Sequence, residues 1–120
     1  MDLINGGKNM TAEKIAEKLK FKIISSGNMN ENTISKVFCC DLLSLAMSKS
    51  PAGAAWVTVM GNINTLAVAS LTEAACIVLA ENTALDEQAL QKAQQQNITV
   101  FQSELPVFET ALMIEKLIHE

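Results

Sequence analysis

The densest group of side chains with chemistry to offer is Thr58, Gly61, Asn62 and Asn64, placed where an apolar run gives way to a new apolar pattern. An asparagine amide offers both a donor and an acceptor, and a threonine hydroxyl does the same. If a helix opens behind them, its free backbone N–H groups join the set and suit a carboxylate or a phosphate. The competing reading is local: one asparagine caps the helix and the other shapes the turn. Asp41 stands at an earlier strand-to-helix junction and has the same two readings, ligand contact or N-cap.

Other chemistries are poorly served. Cys39 and Cys40 are adjacent, whereas zinc sites space paired ligands by about two to four residues. Cys76 lies inside an apolar run, where a free thiol behaves as a small hydrophobe. The single histidine, His119, is next to the end of the sequence, so no nucleophile has a base beside it. Glu104 and Glu109 read as solvated residues favoured by a helix dipole, not as a tuned acid–base pair. The sequence therefore predicts no catalytic residue, no metal site and no cofactor. Trp56 reads as packing at the start of the central run.

Elements that would position these residues follow from periodicity and punctuation. Thr11 reads as the N-cap of a short amphipathic helix over 12–19, and residues 1–9 as a flexible leader. Strands are expected at 21–25 and 34–39, with a turn-rich loop between them. Asp41 is expected to cap a helix that stops before Pro51. Residues 54–60 form the central buried run, followed by a helix from Leu66 to about Ala74. A second apolar run covers 76–80, and a polar helix starts near Asp86, with Leu90 and Ala93 inward and Asn97 in the left-handed exit. After a third run at 98–101, a last helix opens over Ser103–Pro106 with proline in its first turn. Its expected apolar face is Phe108, Leu112, Met113 and Leu117.

Alternating strands and helices, with continuous rather than alternating apolar strands, predict an α/β fold: a mostly parallel sheet with helices on both faces. In such sheets ligands sit at the carboxyl ends of strands, which points to residues 58–65. At 120 residues the chain is expected to be one domain over 10–120. A net charge of −4 with no basic cluster argues against nucleic acid. No apolar run reaches the roughly 20 residues of a membrane span, and the first residues do not read as a signal peptide. Three unspaced cysteines fit a reducing, cytoplasmic setting.

With that order established, the chain resembles a DRTGG domain, a small bacterial α/β module similar to the N-terminal domain of HPr kinase/phosphorylase and to a regulatory part of some phosphotransacetylases. Cys40-Asp41-Leu42-Leu43-Ser44 resembles the family's helix start, and Ala54–Thr58 runs into the turn at Gly61. Ala75–Leu79 follows one helix later, and Ser103–Thr110 resembles the family's final helix entry. The resemblance covers residues 10–118 and rests on order and spacing. The name-giving Asp-Arg-Thr residues of the family follow the central strand; this chain has Gly61-Asn62-Ile63-Asn64-Thr65 there, so an anion contact through that arginine is not carried over.

The resemblance implies a non-catalytic regulatory or ligand-sensing module that commonly dimerises. Together with the turn, it predicts a small anionic metabolite or nucleotide bound through Asp41, Thr58, Gly61, Asn62 and Asn64. The alternative is a protein-interaction adaptor without a ligand, docking on a kinase or metabolic enzyme. The kinase chemistry of HPr kinase does not extend here, because no phosphate-binding G-x-x-x-x-G-K-[ST] loop occurs.

Overall fold

A computed structural model describes residues 10–120, and the expectation of a flexible leader over 1–9 lies outside the described residues. In chain order the elements are α1 (Ala12–Leu19), β1 (Lys22–Ser25), β2 (Lys36–Cys39), α2 (Leu43–Lys49) and β3 (Ala54–Thr58). They continue with α3 (Ile63–Leu71), β4 (Cys76–Leu79), α4 (Glu87–Gln95), β5 (Val100–Gln102) and α5 (Val107–Ile118). The strands form one sheet in the order β1-β5-β4-β3-β2. Strands β2 to β5 run parallel, and β1 joins β5 antiparallel as an edge.

The continuous apolar strands are continuous because both faces of the sheet are covered. Every residue of β3 and β4 is buried. Alternate side chains enter different cores: Ala55, Val57, Val78 and Phe101 pack with Ile15 of α1 and Ile114 of α5, while Trp56, Ile77, Leu79 and Val100 pack with Ala46, Leu66 and Ala89 from α2, α3 and α4. The fold is thus an α/β sandwich of three layers, as the sequence predicts.

The strand order explains this division of the helices. From β2 to β5 the chain steps along the sheet in one direction without reversing, and connections of one hand then place α2, α3 and α4 on the same face. After β5 the chain crosses to the other face, where α5 lies beside α1.

Several boundaries differ from the sequence expectation for local reasons. Asp41 is not the cap of α2: Leu42 holds the N-cap position, with no side-chain capping bond. The helix after the central strand begins at Ile63, not Leu66, because Asn62 caps it, and it ends at Leu71. Pro106 is the N-cap of α5 and not part of its first turn. The inward stripe of α5 runs through Thr110, Ile114 and Leu117, which leaves Phe108 (69% exposed) and Leu112 (37%) facing outward. In α4 the fully buried positions are Ala89 and Ala93, with Leu90 half-buried. Thr11 caps α1 by accepting from the Lys14 N–H, and Asn97 adopts its left-handed exit at φ 57°, both as predicted.

Candidate functional site

The carboxyl ends of β2 and β3 are tied together by one side chain. Asp41 Oδ1 accepts from the Thr58 hydroxyl at 2.6 Å and from the Val59 N–H at 2.9 Å. The Thr58 hydroxyl in turn accepts from the Met60 N–H at 3.2 Å. Thr58 is fully buried, so its side chain positions Asp41 and the turn and is not itself open to a ligand. Nearby, the Trp56 indole donates to the Cys40 carbonyl at 2.9 Å, which fixes the backbone just before Asp41. Asp41 is therefore a clasp between adjacent strand ends, made through one carboxylate oxygen of an exposed residue.

Asn62 performs the capping that the sequence leaves open. Its side-chain oxygen accepts from the backbone N–H groups of Asn64 at 3.0 Å and Thr65 at 3.1 Å. The helix N-terminus is thus already served by an internal acceptor, and the amide N–H₂ of Asn62 is what remains to offer. Asn64 sits in the first turn of α3 and is exposed, as Asn62 is. Gly61 answers to packing: a Cβ there would lie 2.5 Å from the Ala84 carbonyl oxygen, so only glycine lets the turn approach the loop after β4. The structure brings Asp41 and Thr58 into contact, places Asn62 and Asn64 on the neighbouring turn, and uses Gly61 as the spacer against the next loop.

No thiol is arranged for reaction. Cys39 is exposed, Cys40 half-buried and Cys76 buried. The Cys39 thiol is held above its ordinary range by partial burial, then by the negative charge of Asp41 and by Cys40. Burial pushes the Cys76 thiol up to about 12. The Cys40 thiol donates to the Leu42 carbonyl at 3.3 Å. Among the described residues no three histidine, cysteine or acidic side chains group as metal ligands. His119 meets Glu115 at 3.1 Å on the exposed end of α5. No described helix is long and apolar enough to cross a membrane.

Two features were not legible in the sequence. One is a cleft of about 280 Å³ whose walls include Lys20, Lys22, Asn82 and Gln102, drawn from residues far apart in the chain. The other is a shallow apolar face formed by Phe108 and Leu112 of α5 beside Val37 on the outer strand β2. Periodicity put Phe108 and Leu112 inward; an α5 register centred one residue away would have found them.

The DRTGG domain family matches residues 14–117. No curated protein sequence matches significantly. Among solved structures, the fold is similar to that of the CBS and DRTGG domains of the regulatory region of Clostridium perfringens pyrophosphatase, complexed with its activator diadenosine tetraphosphate. The TM-score is 0.75 at 13% sequence identity, over 95% of this chain and 50% of that one. The chain therefore spans about half the length of that structure, and at this identity the likeness is one of fold.

Proposed function

The chain belongs to the DRTGG domain family, and on that premise we propose that it is a non-catalytic regulatory domain that senses a small ligand. The observation that carries this reading is the group of exposed polar side chains, Asp41, Asn62 and Asn64, at the carboxyl ends of two parallel strands. Asp41, Asn62 and Asn64 are the proposed contacts, and Thr58 and Gly61 hold them in place. Within the expected class of anionic metabolite or nucleotide, a nucleotide is favoured. The Asp41 carboxylate repels a bare anion at short range but accepts from the hydroxyl and amino donors of a nucleoside. The Clostridium perfringens regulatory region, with its dinucleotide activator, supports the same choice.

Titration calorimetry with nucleoside mono- and diphosphates tests the reading. Binding should weaken in a chain carrying Asn62→Ser and Asn64→Ala, in which serine keeps a capping oxygen and removes the amide. Equal affinity in wild type and variant would remove these residues from the site.

We also take the domain to act as a homodimer through β2 and α5. Strand β2 pairs only with β3 among the described residues, so its outer edge offers backbone N–H and C=O groups. Two copies related by a two-fold axis satisfy such an edge reciprocally, and the Phe108–Leu112 face flanks it. A second reading, an adaptor docking on a protein partner, draws its support from α2. There Leu42, Leu45 and Met47 are 59%, 46% and 43% exposed, which is unusual for one short helix and its cap.

A further inference from the structure

A ligand crevice in a parallel sheet forms where the connections leaving neighbouring strands diverge to opposite faces. The connections after β2, β3 and β4 all lead to the face that holds α2, α3 and α4. The connection after β5 leads to the opposite face, to α5. The divergence therefore lies between β4 and β5, about one and a half strand spacings from β3, or roughly 7 Å. The 280 Å³ cleft lies beside that place, over the end of β5 and its exit (Gln102–Leu105), with Asn82 of the loop after β4 at one side. Its third side is the turn from α1 into β1, with Lys20 and Lys22.

The backbone around this cleft is costly and firmly held. Among the described residues five non-glycine residues have positive φ, and three of them, Lys20 (61°), Glu81 (57°) and Asn82 (59°), stand at or beside its wall. Glycine is the usual residue where a helix exits in the left-handed region, yet α1 exits on Lys20. Glu81 and Asn82 take that conformation consecutively, which side chains ordinarily avoid. Their loop is clamped from β5 and its exit. The Glu81 N–H donates to the Leu105 carbonyl at 2.9 Å and the Asn82 N–H to the Ser103 carbonyl at 2.8 Å. The Gln102 amide donates to the carbonyls of Asn82 at 3.2 Å and Thr83 at 3.0 Å. Strain kept in place by surrounding bonds is characteristic of functional sites. With both amide hydrogens of Gln102 turned toward the loop, its oxygen remains as an acceptor.

The charge on this wall runs against that of the molecule. The chain carries −4 overall, yet Lys20 and Lys22 both line the cleft with one lining carboxylate, Glu104, and Glu81 beside it. Neither lysine pairs with a described acidic residue. Leu19, Phe21, Leu105 and Met113 give the cleft an apolar wall. We propose that this cleft is a binding site for a small organic phosphate, with the phosphate on Lys20 and Lys22 and the organic body against the apolar wall. Glu104 and the Asn82 amide face the hydroxyl or amino groups of that body. The site is separate from Asp41, Asn62 and Asn64 and does not rest on the reading given to them.

Amide NMR titration of the full chain with ADP and with inorganic pyrophosphate, at low and at moderate salt, tests it. ADP should shift the amide signals of Lys20, Asn82 and Gln102 to Leu105, with affinity falling as salt rises. The pair Lys20→Asn and Lys22→Thr, in which asparagine tolerates the left-handed conformation and threonine suits a strand, should weaken ADP by at least about tenfold. Lys49→Gln, an exposed charge change on α2 outside both sites, should bind ADP at this cleft as wild type does. Pyrophosphate should shift the Lys20 signal while leaving the Leu105 and Met113 signals nearly unmoved. ADP shifts confined to residues 58–65 would overturn the assignment while leaving the regulatory reading intact. No shift with either probe at millimolar concentration, or undiminished ADP binding in the lysine pair, would overturn it as well.

Discussion

A single side chain, Asp41, organises the ends of two strands. One carboxylate oxygen accepts from a fully buried hydroxyl and from a backbone N–H on the neighbouring strand. Replacing Asp41 with alanine strands both donors and should cost about 1–3 kcal/mol, whereas Asp41→Asn keeps an acceptor and should cost less. Chemical denaturation of the two variants checks the difference, and equal losses would mean that the clasp is not what stabilises this turn. Cys76 gives a prediction in pH. Its thiol stays neutral in the native state up to about 12, while in the unfolded chain it ionises near 9.0. The unfolded state therefore releases the proton first, and stability falls as pH rises above 9, by up to about 1.4 kcal/mol per pH unit. Cys39 shifts in the same direction, so the measurement is the difference between wild type and Cys76→Ala. Denaturation midpoints from pH 8 to 10.5 should converge with those of the variant as pH rises. Parallel curves would contradict the burial effect.

At the scale of elements, the readable parts were those written in local sequence. Thr11, Asp86 and Asn97 each signalled a helix end through side-chain chemistry acting within three residues, and the structure has them there. The sheet was legible because β3 and β4 are apolar without interruption, which only a two-sided burial explains. Asp41 was misread because the bond that claims it crosses from β2 to β3, a partner 17 residues away. The start of α3 lies earlier than the apolar pattern, which resumes only at Leu66, because the asparagine that caps it is Asn62, and its oxygen suffices to begin the helix at Ile63. On helix α5 Leu117 is buried and Met113 packs on the core as expected, but Phe108 and Leu112 face outward because Thr110, a polar residue, takes a buried position. Its hydroxyl lies 2.8 Å from that of Ser103 and donates to the Leu105 carbonyl at 3.2 Å. That misreading concealed an outward apolar face. Changing Phe108 and Leu112 together to aspartate should give a monomer by analytical ultracentrifugation with little change in helix content. A dimer that survives the change would move the interface elsewhere.

The whole molecule joins two kinds of surface through one sheet. Polar groups collect at the carboxyl ends of the strands, while the open edge of β2 and the outer side of α5 lie along one flank. Asp41 links these regions physically, because it lies two residues past the end of β2 and is bonded to the end of β3. A ligand that engages Asp41 can bias the proposed dimer only by binding one assembly state more tightly than the other. The cleft between β4 and β5 was illegible in the sequence because its residues span from Leu19 to Met113 and meet only through the fold. The regulatory reading is tested most directly by thermal unfolding of the wild-type chain in the presence of nucleotides and phosphorylated metabolites. A ligand at about 100 times its dissociation constant adds about 2.7 kcal/mol, enough to raise the midpoint by several degrees. The account predicts such a rise with at least one nucleotide. A midpoint unmoved by every compound, in a protein that still unfolds cooperatively, would contradict it.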